Sequence, residues 1–126
     1  MSNFKKISFD VNAPRTEFHN NLSLSGCEVS YNNFAPNSAV PFVHSHKENE
    51  EFYIVLKGDG ELYIDGETVS LKAGDAFRIA PLGERCLKSG KEGMTVICVQ
   101  SKEHSLGGFT AEDANILQDK KSPWMK

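Results

Sequence analysis

Residues 41–58 read Pro-Phe-Val-His-Ser-His-Lys-Glu-Asn-Glu-Glu-Phe-Tyr-Ile-Val-Leu-Lys-Gly, and this stretch carries the strongest chemical signal in the chain. His44 and His46 stand two apart, and Glu51 follows after four residues. Two imidazoles and one carboxylate form a ligand set that leaves positions open for water or substrate. On a strand, side chains at i and i+2 leave the same face about 6.6 Å apart, so both imidazoles can converge on one ion. On a helix the same spacing would splay them. Residues 47–50 are polar and can turn the chain, so that Glu51 opens an antiparallel neighbour facing the histidines. Residues 52–56 are aromatic and β-branched strand formers, and Gly58-Asp59-Gly60 is expected to end that strand. The competing reading is a polar loop with two solvated histidines and an incidental glutamate.

Working outward, Gly58 completes a longer pattern, His-x-His-x4-Glu-x6-Gly, which resembles the first motif of the cupins. Cupins are small β-barrels of jelly-roll type that usually hold one metal ion. Where that motif has a glycine six residues before the first histidine, this chain has Ser38. The second motif, a glycine followed by Pro-x-Gly-x-x-His, is matched by Gly74 and by Pro81-Leu82-Gly83-Glu84-Arg85-Cys86. The gap from Gly74 to Pro81 is one residue longer than usual, and Cys86 replaces the histidine that supplies the fourth ligand. The resemblance runs from about residue 26 to residue 100. It implies an all-β jelly-roll barrel, or double-stranded β-helix, and leaves the reaction open.

Length and composition fit that picture. A chain of 126 residues with 39% hydrophobic residues is expected to form one domain, residues 1–126, with the barrel core at about 26–100. Net charge is −3 and the basic residues are scattered, so the concentrated positive face that nucleic acid requires is not expected. Residues 1–10 hold Lys5 and Lys6 with no apolar stretch after them, so no secretory signal is expected. Apolar runs reach about six residues, far short of the ~20 that span a bilayer. Three cysteines without CxxC spacing argue against a disulfide framework and suit a reducing compartment, giving a cytoplasmic expectation.

Along the chain, residues 4–9 alternate like a first strand, while residues 12–21 are polar, contain Pro14 and read as a loop. Residues 26–34 have the period-2 pattern of a half-buried strand. Asp65-Gly66 between two alternating runs predicts a tight hairpin, because a type I′ turn needs positive φ at both central positions. Residues 76–80, 85–88 and 94–100 read as further strands, the last two divided by a turn at residues 89–93. A short C-terminal helix is expected over residues 111–117, capped by Thr110, with Ile116 and Leu117 packing on the barrel. His19 and His104 have no partner at ligand spacing and read as surface residues.

The site expected from these readings has His44, His46 and Glu51 as metal ligands. Glu51 is preferred to Glu50 because neighbours on a strand face opposite ways and because the count back from Gly58 selects it. Cys86 is either a fourth ligand or a small filler where a ligand has been lost. As a thiolate ligand it would favour zinc, iron or another softer ion over magnesium or calcium; the divalent ion is expected to be zinc, iron, manganese or nickel. Tyr53 shares the parity of Glu51, and Arg78 or Arg85 lies near the second motif, so these three are the candidate substrate-binding residues. Two functions fit: an enzyme acting on a small oxygen-bearing substrate, of dioxygenase, isomerase or decarboxylase type, or a module that binds a carbohydrate or carboxylate without turnover. Phe4, Ile7 and Phe9, with the tail around Phe109 and Trp124, exceed the needs of a small core and point to a homodimer.

Overall fold

The computed structural model describes residues 3–108 and 110–125, so the expectation placed on Phe109 lies outside the described residues. In chain order the elements are β1 (Arg15–Glu17), α1 (His19–Leu22), β2 (Glu28–Phe34), β3 (Asn49–Ile64), β4 (Glu67–Lys72), β5 (Ala76–Ile79), β6 (Arg85–Lys102) and α2 (Thr110–Asp113). All strand pairs are antiparallel, in the order β1-β2-β6-β3-β4, with β5 also on β3.

The two long strands build the barrel. Residues 49–55 of β3 pair with β5 and with residues 96–102 of β6, whereas residues 60–64 pair with β4 and with residues 85–89 of β6. Each long strand therefore belongs to two layers. Between its halves β3 shifts register twice, at Val55/Lys57 and at Gly58/Gly60. Gly58 has φ 78°, and a Cβ there would run into the carbonyl of Gly93, which itself has φ 81°. The expected strand end at residues 58–60 and the expected turn at residues 89–93 are thus bends inside continuous strands. Glycine permits either outcome; pairing on both sides of the bend makes it a bulge.

Alternation fixes what fills the barrel. Tyr53 and Val55 on β3 face inward with Leu62, Leu71, Ile79, Leu87, Met94, Val96 and Cys98. Burying each large aliphatic of this set contributes about 1.5–3 kcal/mol. The Asp65-Gly66 hairpin forms as expected, with φ 48° and 89°.

At the N-terminus the expectation is corrected. Residues 4–9 make no strand; β1, inside the stretch read as a loop, takes the free edge of β2 instead, with Arg15 opposite Asn32. Phe9 packs edge-on against Phe18 and Tyr31, at 4.9 and 5.3 Å between centroids, so this segment attaches by its side chains. The C-terminal helix is present but spans only Thr110–Asp113, and Ile116 and Leu117 are 83% and 57% exposed rather than packed on the barrel. No helix among the described residues is long and apolar enough to cross a membrane.

Gly58→Ala should lower stability by at least about 1–3 kcal/mol, the usual cost of a strained left-handed residue, with the clash against Gly93 added. Urea unfolding of the variant and the parent measures it, and Gly66→Ala is the comparison, since a Cβ at Gly66 meets nothing within 4 Å.

Candidate metal centre

His44, His46 and Glu51 come together as expected: one ligand atom from each lies within 4.8 Å of the others. Their route there differs from the one read in the sequence. The histidines sit on an extended segment that bridges β6, with His44 N–H donating to the Arg85 carbonyl at 3.1 Å and Arg85 N–H returning to the His44 carbonyl at 3.0 Å. His46 N–H donates to the Pro81 carbonyl at 2.7 Å. Glu51 stands on the opposite layer, between Ile79 of β5 and Gln100 of β6. The imidazoles and the carboxylate thus meet across the barrel rather than along one hairpin.

The i, i+2 logic holds even without a regular strand, since the two imidazoles lie 5.1 Å apart. His46 Nε2 is 3.3 Å from Glu51 Oε2 but is not aligned to hydrogen-bond with it. His44 Nδ1 is likewise buried without a hydrogen-bond partner among the described residues. A buried polar atom left unpaired costs about 1–3 kcal/mol, so two such nitrogens beside a carboxylate fit a cation as their missing partner. Burial also lowers the His44 pKa, Glu51 opposing that shift, and a neutral imidazole is the form that coordinates.

Glu51 is 3% exposed and is surrounded by polar groups. Tyr53 O–H donates to its Oε1 at 3.4 Å, Cys98 S–H to its Oε2 at 3.7 Å, and Arg85 Nη1 lies 3.6 Å from Oε1. Burial, with the charge of Glu51 and the neighbouring thiol, raises the Tyr53 pKa strongly, and burial together with Glu51 pushes Cys98 up to about 12. Cys98 is the neighbour that sequence reading missed. Its signal was the pairing of β3 with β6, which sets Cys98 opposite Tyr53.

The other expected site residues separate. Arg85 points inward and is 1% exposed, whereas half-buried Cys86 also lines the cavity but its S–H donates to the Val40 carbonyl at 3.0 Å. With its thiol turned to that carbonyl, Cys86 does not join the three-residue ligand group. Arg78 lies opposite Phe52 on the outer face, held by Glu50 at 2.7 Å and Glu103 at 2.6 Å. It does not line the cavity. Tyr53 does, stacked on Phe77 at 5.1 Å. The cavity beside the ligand group has a volume of about 840 Å³, within the range of small-molecule sites. His19 and His104 are exposed, as read from the sequence.

With fold and site in view, comparison with known proteins places the chain in a family. The cupin domain model matches residues 31–100, more than half of the chain, and the protein belongs to the cupins. The crystal structure of a cupin protein from Bacteroides fragilis superposes with a TM-score of 0.89 at 44% identity, covering 93% of this chain and 99% of that one. An uncharacterized protein of Methanocaldococcus jannaschii is 25% identical over 113 residues, 89% of this chain and 86% of its own. An uncharacterized protein of Aquifex aeolicus is 50% identical over 42 residues, and that match spans 33% of each chain.

Cys98 should be the least reactive of the three thiols. A pKa near 12 and 5% exposure keep it protonated and covered at neutral pH. Alkylation of the native protein followed by mass spectrometry should modify Cys27 faster than Cys98 by roughly ten-fold or more, and urea should abolish the difference.

Proposed function

We propose that this cupin binds a divalent metal through His44, His46 and Glu51 and acts as an enzyme on a small oxygen-bearing organic molecule held in the adjoining cavity. The observation that carries the reading is the pair of unpaired, buried imidazole nitrogens facing a buried carboxylate. Zinc, iron, manganese and nickel all accept this ligand set. When bound, the ion supplies Lewis-acid polarisation of a substrate oxygen, or dioxygen chemistry if it is iron. The chain's own residues then have separable roles: Tyr53 donates to Glu51 and fixes its orientation, Arg85 places positive charge beside the ligands, and the apolar walls exclude water.

A second reading, a binding module without turnover, is favoured by one observation. Glu51 is committed to the ion, while Tyr53 and Cys98 are held protonated, so no side chain around Glu51 is poised as a general base. Sugars, keto acids and catechols offered to protein loaded with each metal distinguish the two: product formation supports the enzyme, and a ligand that raises Tm and is recovered unchanged supports the module. The free thiols Cys27, Cys86 and Cys98 support a reducing, cytoplasmic setting.

Replacing both His44 and His46 with alanine should remove most bound metal while the circular dichroism spectrum stays β-rich. An unchanged metal-to-protein ratio by atomic spectroscopy would sink the metal reading.

The assembly we propose is a homodimer. The outer face of β2, β6 and β3 carries Val29, Tyr31, Ile97, Val99, Phe52 and Ile54 side by side, and Phe52 and Leu56 are each 43% exposed. Exposed Trp124 and Met125 add to the uncovered apolar surface. Light scattering at micromolar concentration should give about twice the 14.0 kDa chain mass, and Phe52→Glu should shift it toward the monomer.

A further inference from the structure

Arg85 is the largest fully buried side chain among the described residues, and its charge is only partly answered. Nη2 donates to the Ala80 carbonyl at 2.7 Å. Nε and Nη1 have no hydrogen-bond partner among the described residues, although Nη1 lies 3.6 Å from Glu51 Oε1. A guanidinium stays charged at any ordinary pH, so a buried one left without full pairing is costly unless something else supplies negative charge.

The cavity wall offers little of it. Glu51 is the acidic residue lining the cavity among the described residues; it faces Arg85 at 3.6 Å, and Arg15 also lines the wall. Arg15 is in turn paired with Glu17 at 2.9 Å and donates to Asn32 at 2.6 Å, so Arg85 is the guanidinium with spare capacity. Binding of a dication draws on the same Glu51 carboxylate, and neutral imidazoles add no charge. The loaded cavity then holds an excess of positive charge beside Arg85 and Glu51, which are 1% and 3% exposed, where uncompensated charge is expensive. An anionic ligand reduces the excess.

The rest of the wall selects the kind of anion. Phe34, Val40, Phe42, Leu87 and Val96 are apolar, and about 840 Å³ accommodates an organic body beyond the charged group. A free phosphate or sulfate would leave these apolar walls unfilled.

We propose that the cavity takes a small organic carboxylate with an apolar body, its charge answered by Arg85 next to the ligand group. This deepens the metal-site reading and rests on it in one respect: the ion relieves Arg85 of Glu51, so carboxylate and metal bind with positive coupling, each raising the affinity for the other by the same factor.

The probes are benzoate and its neutral relative benzamide, titrated calorimetrically into zinc-loaded protein, metal-free protein and two variants. Zinc-loaded parent should bind benzoate and not benzamide, and metal-free parent should bind benzoate more weakly. Arg85→Met should keep its zinc and lose benzoate affinity by roughly ten- to a hundred-fold, the scale of one charged hydrogen bond. Metal-free Glu51→Gln leaves Arg85 without its carboxylate neighbour and should bind benzoate without any ion.

If Arg85→Met does not fold, the unsubstituted protein still answers. The chain has three arginines, and the Nε–H resonance of Arg85, identified through Arg15→Lys and Arg78→Lys, should move when benzoate is added. Equal affinity for benzoate and benzamide, undiminished benzoate binding in zinc-loaded Arg85→Met, or an Arg85 resonance that ignores benzoate overturns the proposal. So does absence of benzoate binding from both zinc-loaded parent and metal-free Glu51→Gln. A parent that takes up no zinc while metal-free Glu51→Gln still binds benzoate overturns the metal reading and leaves the carboxylate site standing.

Discussion

The barrel depends on the place where β3 and β6 pass each other without side chains. A Cβ on Gly58 would run into the Gly93 carbonyl and one on Gly93 into the Phe34 carbonyl of β2, and both glycines adopt positive φ. That contact lets each long strand leave one layer and enter the other while its ladder resumes beyond the bulge. Two strands then do the work of four. Most of the inner face comes from the same two stretches of chain, with Leu71 and Ile79 added by β4 and β5, which ties the position of Glu51 on one half of β3 to that of Leu62 on the other half.

Glu51 shows what such an enclosure does to chemistry. A carboxylate 3% exposed is disfavoured as an anion unless its surroundings answer the charge. Here the answer is shared among the Tyr53 hydroxyl, the Cys98 thiol and the Arg85 guanidinium. None of these contacts is short, and none alone satisfies the carboxylate. The orphan nitrogens of His44 and His46 complete a set of groups that are individually under-bonded and collectively arranged around one point. Such incomplete polar satisfaction is uncommon in a protein interior and marks the place where structure has been given over to binding.

Much of this was legible in the sequence, and the failures have physical reasons. Strand parity allowed only one of Glu50 and Glu51 to face the histidines and the count back from Gly58 selected Glu51, and the structure buries Glu51 while Glu50 pairs with Arg78 outside. Asp65-Gly66 announced its turn because few other residue pairs accept positive φ twice. The glycines at 58–60 and 90–93 could not be read the same way. Glycine permits a turn, a strand end or a bulge, and only the partner strand decides which. Residues 4–9 alternate well enough for a strand, but an edge accepts one neighbour, and β1 occupies it. The choice between Arg78 and Arg85 needed the register of β5 and β6, and Cys86 stands outside the ligand group with its thiol on the Val40 carbonyl, a contact between residues 46 apart that its motif does not encode.

The histidines reach the site from one layer and Glu51 from the other, although only four residues separate His46 from Glu51. An ion held by all three would clip a loop that is already short, so restricting the unfolded chain contributes little, since closure entropy grows with loop length. Its stabilisation would come instead from satisfying buried nitrogens that no described protein group answers. A disulfide across the same gap would act mainly on the disordered chain; an ion acts on the ordered one. Metal binding through these residues would make the fold answer to the free metal concentration around it. At about a hundred-fold excess over Kd a bound ligand adds about 2.7 kcal/mol, a large fraction of what keeps a small domain folded. Under the metal reading the site would in that sense be a rheostat for the lifetime of the chain.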